Sequence, residues 1–367
     1  MKKIPIYQPS LRGNEKKYVL DCLDSTWISS KGKYIGEFEK KFAEYIGVSY
    51  AASVTNGTIA LHLTLLALGI GKGDEVIVPT LTYIASVNAI RYTGATPVFI
   101  DCEREYWQID VNEIERLITS KTKAIMPVHL YGAVCDMGSI IEIAKKYNLF
   151  VVEDCAEAIG SKFTNKKVGG FGDISAFSFF GNKTITTGEG GMVLTNDETL
   201  YERCLHLKGQ GLAKYRQYWH DILGYNYRMT NICAAIGLAQ LENIEGIIFE
   251  KRRIATWYKK YLLSNENVEI HNEQDGTFHT YWMISILVNC PEDRDPLRDF
   301  LENAGIETRP LFYPVHIMPI YSEKYQRFKN AEYLGWRGIN LPSYPDLTEE
   351  QIEYICKSIN SYFMGRE

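Results

Sequence analysis

Three clusters of residues in this 367-residue chain have the types and spacing to act on a small charged molecule. The first surrounds Lys183 in FSFFGNKTITTGEGGMV, residues 177–193, where an amine stands between an apolar run and a glycine turn. A lysine there can bind phosphate, attack a carbonyl, or serve as a solvated loop charge. Residue order argues against the phosphate loop, in which the lysine follows its glycines; here GEGG comes after Lys183. GEGG also leads into a strand and not a helix, so a dinucleotide fingerprint fails too.

The second cluster is Asn56, Gly57 and Thr58 in SVTNGTIALHLTLLAL, at the head of an apolar helical run. Glycine lets a ligand approach the backbone, and the first helical amides with the Thr58 hydroxyl suit an anion. The same residues also read as a plain helix cap. The third is Asp154 in VVEDCAEA, at the C-terminal end of an apolar run. Open α/β sheets place their ligand crevice at such strand ends. A buried acid there needs a cation or a hydrogen bond to offset its desolvation, unless it only caps the next helix.

An anion cradle, a carboxylate that keeps a ring nitrogen protonated and an amine that condenses with an aldehyde are what pyridoxal 5'-phosphate requires. Ser178, on the FSFF run, can add a hydroxyl to the phosphate set. Tyr83, opening a helix after VIVPTLT, can stack on the cofactor ring or simply pack in the core.

These groups need a frame. EVIVP (75–79), PVFID (97–101), KAIMPVHL (123–130) and LFVVEDCA (149–156) are apolar on both faces, as buried parallel strands are. Helical segments at 58–69, 82–93, 110–119 and 137–147 separate them, which gives a β-α-β order and a mostly parallel sheet. DISAFSFF (173–180) and GMVLTN (191–196) bracket Lys183. After about residue 228 the pattern changes to helices at RMTNICAAIGLAQLENI, 248–263, EDRDPLRDFLENAG and 348–363, with a strand at 279–288. The expected division is a large domain over 1–250 and a smaller α+β domain over 251–367.

With 46% hydrophobic residues, 23% charged residues and a net charge of −5, the chain has no electrostatic footprint for nucleic acid. Its eight cysteines include no C-x-x-C pair and its seven histidines no H-x-x-x-H pair, so no metal site is expected. The start, MKKIPIYQPS, lacks the apolar core of a secretory signal, and no apolar run reaches membrane-spanning length. A cytoplasmic protein is the expectation.

The runs TWISSKGKYIGEFE (26–39), SVTNGTIALHL, VIVPTLTYIASVNAI, PVHLYG (127–132) and VEDCAEAIGS occur in the same order as in a known family. They continue with GGFGDISAFSFFGNKTITTGEGGMV, GYNYRMTNICAAIGLAQLE (224–242) and ETRPLFYPVHIMPIY (307–321). Together they resemble the DegT/DnrJ/EryC1/StrS sugar-nucleotide aminotransferases, and the likeness covers nearly the whole chain. It implies the fold-type I, aspartate aminotransferase-like α/β architecture, with pyridoxal 5'-phosphate as cofactor and pyridoxamine 5'-phosphate as its amino form.

The resemblance implies that Lys183 is the Schiff-base lysine, Asp154 the partner of the pyridine nitrogen and Tyr83 the stacking ring. Gly57, Thr58 and Ser178 would hold the phosphate, joined by Asn226 of a neighbouring subunit in a homodimer with shared sites. Glu157 stands where members often carry glutamine near the phenolic oxygen; a carboxylate there repels a phenolate unless protonated or turned aside. Arg228 would meet a substrate carboxylate. Trp27, Ser29, Ser30 and Lys31 belong to the loop that receives the sugar nucleotide, and Arg309, Tyr313 and His316 to the far side of the pocket.

The donor implied is L-glutamate. SFFGNKTITTGEGGMV, KGQGL (208–212) and TRPLFYPVH resemble members that aminate C4 of GDP-4-keto-6-deoxy-D-mannose. A UDP- or dTDP-linked keto sugar aminated at C3 or C4 is the alternative substrate. Related 3-dehydratases have histidine at the lysine position, so Lys183 points to transamination. The rivals from other classes are a phosphotransferase, which lacks its Walker lysine here, and a non-catalytic cofactor sensor, whose DNA-binding patch is missing.

Overall fold

The computed structural model describes residues 3–322 and 325–365; the ends of the expected domain bounds, 1–2 and 366–367, lie outside the described residues. Runs that are apolar on both faces form the sheet: β1 Tyr50–Val54, β2 Glu75–Pro79, β3 Thr96–Ile100, β4 Thr122–Ile125, β5 Phe150–Asp154, β6 Ile174–Ser178 and β7 Gly191–Thr195. Their order is β1-β7-β6-β5-β4-β2-β3. Pairing is parallel from β3 through β2, β4 and β5 to β6. β7 returns antiparallel to β6, and β1 lies antiparallel to β7 at the edge.

Strand β1 was not among the runs the sequence marked, although YAASV is mostly small and apolar. Its alanines give little β signal, and its place comes from pairing with β7. KAIMPVHL is ladder only over Thr122–Ile125, because Pro127 carries no amide hydrogen to donate. The helix expected over 110–119 is a short 3-10 turn Val111–Glu113 followed by Ile114–Leu117. Of 279–288, only Ile284–Val288 is strand.

Helices between the strands put their apolar faces on the sheet. Gly57–Ala67 is capped by Asn56, whose side chain accepts from the Ile59 amide at 2.9 Å. Ile84–Tyr92 and Met137–Tyr147 follow β2 and β4. Beyond residue 262 a four-stranded antiparallel sheet, with Ile284–Val288 at its centre, packs under the helices Arg294–Asn303 and Glu349–Met364.

The expected boundary at 250 falls inside one continuous helix, Ile244–Leu262. Its first turns, through Ile244, Ile247 and Ile248, join the core below the central sheet. Its last turns, through Ile254, Tyr258 and Leu262, join the C-terminal core, which also takes in Ile4 from the N-terminal segment. Among the described residues no single helix is long and apolar enough to cross a membrane; Asn231–Glu242 and Ile244–Leu262 pass that test only as a pair bent by 63°.

Candidate active site

The parallel strands end side by side, and the charged residues stand at those ends. Asp154 closes β5 and is buried. Its Oδ2 accepts a hydrogen bond from Ser86 Oγ at 2.7 Å, and its Oδ1 one from the Ala156 amide at 3.1 Å. Burial pushes this carboxyl above the ordinary aspartate range, opposed by those two bonds and by the charge of Lys183. Ser86 lies in the first turn of Ile84–Tyr92 and contacts Thr82 Oγ1 at 2.9 Å. Tyr83, the residue just before that helix, is 55% exposed, with its ring centroid 5.4 Å from that of Phe312.

Beneath Asp154, His129 Nε2 and Glu153 Oε2 lie 3.3 Å apart in the core. Glu153 also accepts from the amides of Gly169, Phe171 and Gly172, so its oxygens are engaged in holding that turn.

Lys183 sits in the connection from β6 to β7. That connection is closed by Phe179 N–H to Gly190 O at 2.8 Å and Thr187 N–H to Phe179 O at 2.9 Å. The lysine side chain is only 11% exposed. Its Nζ lies 3.4 Å from Glu157 Oε1 and 3.8 Å from the centre of the Trp282 ring. Glu157 turns its other oxygen to the Tyr131 amide at 2.8 Å. Burial raises the Glu157 carboxyl above its ordinary range, while Lys183 and the Tyr131 amide favour its charged form.

The helix at Gly57 abuts the end of β6. A Cβ on Gly57 would lie 2.6 Å from Ser178 Cβ and 2.9 Å from its Oγ, so only glycine brings the helix N-terminus this close to that hydroxyl. Beside it, the amide of Thr55 donates to Tyr227 O at 3.0 Å and Val54 bridges to Arg228. Arg228 in turn holds Asn226 Oδ1 through Nε at 3.2 Å and Nη2 at 3.0 Å.

The TWISSKG loop is fastened by Asn231, a residue the sequence reading did not single out. Its amide donates to Ser29 O at 2.6 Å and its Nδ2 to Trp27 O at 2.7 Å, while its Oδ1 accepts from the Tyr34 amide at 3.1 Å. Trp27, Ser29 and Lys31 stay exposed and Ser30 half-buried.

The three residues expected on the far side of the pocket have partners of their own. Arg309 is exposed, 3.7 Å from Glu307. Tyr313 accepts from the buried Arg294 at 3.1 Å. His316 is buried between Thr80 Oγ1 at 2.8 Å and Glu332 Oε1 at 3.3 Å. A substrate would have to displace one of those bonds to use its ring. The residue of this segment that meets Tyr83 is Phe312, an aromatic with no polar group to mark it in the sequence.

The family model for the DegT/DnrJ/EryC1/StrS aminotransferases matches residues 9–360. The chain belongs to that family. It is 68% identical over 366 residues to the GDP-perosamine synthase of Escherichia coli O157:H7, with both chains covered in full. It is 52% identical to the GDP-perosamine synthase of Vibrio cholerae, covering 98% of this chain and 99% of the relative. Helicobacter pylori PseC, an aminotransferase of pseudoaminic acid biosynthesis, superposes with a TM-score of 0.94 at 28% identity, covering 99% of this chain and 100% of PseC.

The chain is a pyridoxal-phosphate-dependent sugar aminotransferase. Its residues fit the cofactor: Gly57, lacking a Cβ, lets the helix N-terminus close against the Ser178 hydroxyl, the buried Asp154 carboxylate is met by the neutral donors Ser86 and the Ala156 amide, and a nearly buried amine is within reach of Glu157. Ser86, Phe312 and Trp282 are the additional site residues the tertiary structure supplies.

Proposed function

We propose that this enzyme transfers the amino group of L-glutamate to C4 of GDP-4-keto-6-deoxy-D-mannose, giving GDP-perosamine and 2-oxoglutarate, as a homodimer with shared sites. The observation that carries the reading is Lys183, an amine nearly out of solvent on the same strand-end face as Asp154 and Ser178. The choice of sugar is supported by full-length relatives named GDP-perosamine synthase. Such a product suits a bacterial surface polysaccharide.

Pyridoxal phosphate, when bound, supplies an electrophilic carbonyl carbon and a ring that accepts the electron pair released at an amino acid's α-carbon. Lys183 would be the residue whose amine holds the cofactor at that carbon. As a free amine it would take up and give back one proton in each half-reaction, accepting it from the α-carbon of glutamate in the first and delivering it to C4 of the sugar in the second. Asp154 keeps the ring nitrogen protonated, and Ser86 keeps the Asp154 carboxylate oriented. Ser178 Oγ, Thr58 and the helix N-terminus at Gly57 bind the phosphate, with Asn226 of a second subunit completing the set. Arg228 binds the glutamate carboxylate. Tyr83 covers the ring, and the loop carrying Trp27, Ser29, Ser30 and Lys31 orients the nucleotide.

The test is turnover of purified enzyme with glutamate and GDP-4-keto-6-deoxy-D-mannose. Equimolar 2-oxoglutarate and a GDP-linked 4-amino sugar are expected. Lys183→Ala should bind the cofactor without retaining it after borohydride reduction and should lose multiple turnover. Full turnover by Lys183→Ala, or an equal rate with UDP- or dTDP-linked keto sugars, overturns the proposal.

A further inference from the structure

Lys183 is held by residues far from it in the chain. The Tyr7 hydroxyl donates to the Lys183 carbonyl at 2.6 Å, and Trp282 Nε1 donates to the Asn182 carbonyl at 2.6 Å. Two adjacent peptide groups are therefore fixed by two rings, one from the N-terminal segment and one from just before Ile284–Val288. The Trp282 ring also faces the amine, 3.8 Å from Nζ, so one side chain holds both the backbone and the head of this region.

The two rings meet on a third residue. Lys251, within Ile244–Leu262, is 1% exposed. Its Nζ donates to the carbonyls of Trp282 at 3.1 Å and Ser343 at 2.6 Å and lies 5.4 Å from the centre of the Tyr7 ring. A lysine buried against neutral carbonyls is costly when charged, and a leucine would fill such a volume without that cost. What lysine adds is a directed grip on the peptide of Trp282. Tyr7 is half-buried, and desolvation raises its phenol well above the ordinary range, so it remains a protonated donor.

We infer that Tyr7, Trp282 and Lys251 form a positioning clamp for Lys183. Tyr7 and Trp282 fix the 182–183 backbone, the Trp282 ring gives Nζ a second resting contact beside Glu157, and Lys251 locks the tryptophan in place. A four-carbon side chain has many rotamers, and proton transfer requires its amine in nearly one position, so holding its root contributes directly to the reaction. The inference rests on the reading of Lys183 as the amine that binds the cofactor.

The test uses the full-length enzyme with cofactor and the variants Tyr7→Phe, Trp282→Phe, Trp282→Leu and Lys251→Met. Tyr7→Phe and Trp282→Phe should melt within a few degrees of wild type without cofactor. They should release pyridoxal phosphate about tenfold more readily, as loss of one hydrogen bond implies, and lower kcat with KM for glutamate little changed. Trp282→Leu, which loses the ring face as well as the donor, should be worse than Trp282→Phe. In a Lys183→Ala background Tyr7→Phe should add no further loss of cofactor affinity, because the clamp acts through the lysine.

Unchanged cofactor affinity and kcat in Tyr7→Phe and Trp282→Phe overturn the clamp, as does an undiminished Tyr7→Phe effect without Lys183. If Lys251→Met fails to fold, Tyr7→Phe, which removes a single oxygen, carries the test. An active, cofactor-retaining Lys183→Ala instead overturns the underlying reading, so the two failures are distinguishable.

Discussion

Ser86 Oγ donates to Asp154 Oδ2 at 2.7 Å across 68 residues of chain, joining the first turn after β2 to the end of β5. The bond orients a carboxylate that burial alone would rather protonate. The protein thus holds a destabilising acid at a strand end, where a cationic ring is its natural partner.

Asp154→Asn should separate stability from function. Because the folded-state pKa lies above the ordinary value of 3.8, the folded protein binds the proton more tightly than the unfolded chain. The acid therefore costs stability as pH rises from about that value through the folded pKa, and the cost persists above it. Without cofactor, Asp154→Asn should melt higher than wild type at neutral pH, with the gain fading toward pH 4. With cofactor, its affinity should drop at least about tenfold. Melting curves of both forms across pH decide this; a lower melting point for the neutral-pH apo variant counts against it.

Glu157→Gln keeps an oxygen for the Tyr131 amide and removes the negative charge beside Lys183. The pH midpoint of the bound cofactor's absorbance should fall by about one unit, the scale of one partly screened charge at this separation. The fold should be unaffected. A spectrophotometric titration reads the shift, and a rise would mean the carboxylate does not favour the cationic form.

Gly57→Ala sets a methyl group against Ser178 at 2.6 Å. The crowding should cost about 1–3 kcal/mol of stability and weaken cofactor binding. Adding Ser178→Gly should recover most of the lost melting temperature but not the cofactor affinity, since the hydroxyl is gone. Recovery of both would argue that Ser178 does not touch the phosphate.

Asn231→Ala frees the loop that carries Trp27 and Ser29 by removing the Nδ2 and Oδ1 bonds. KM for the sugar nucleotide should rise about tenfold, while the half-reaction with glutamate keeps its rate. Single-turnover kinetics with each substrate separate the two; equal damage to both half-reactions would assign the loop a wider role.

The site was legible in part because its chemistry is concentrated in unusual residues at strand ends. Lys183, Asp154 and the Asn56-Gly57-Thr58 turn each break an apolar pattern, and a polar residue that interrupts a core-forming run needs a reason. Ser86, Phe312, Trp282 and Asn231 break no pattern: a serine or asparagine near a helix start and an aromatic in a core run are ordinary there. Their roles depend on partners at least 68 residues away.

The sequence by itself determined the alternation of strands and helices, through residue periodicity, and the amine, carboxylate and anion cradle, through chemical type. It also carried the family, because ordered motifs spanned the chain. Tertiary structure decided the antiparallel return of β7 with β1 at its edge, the single helix that joins both cores, and the contacts of His316 and Tyr313. It also decided which rings hold Lys183. Local propensities act over a few residues, whereas these contacts are chosen by which distant surfaces can be buried together, and no short stretch of chain contains that information.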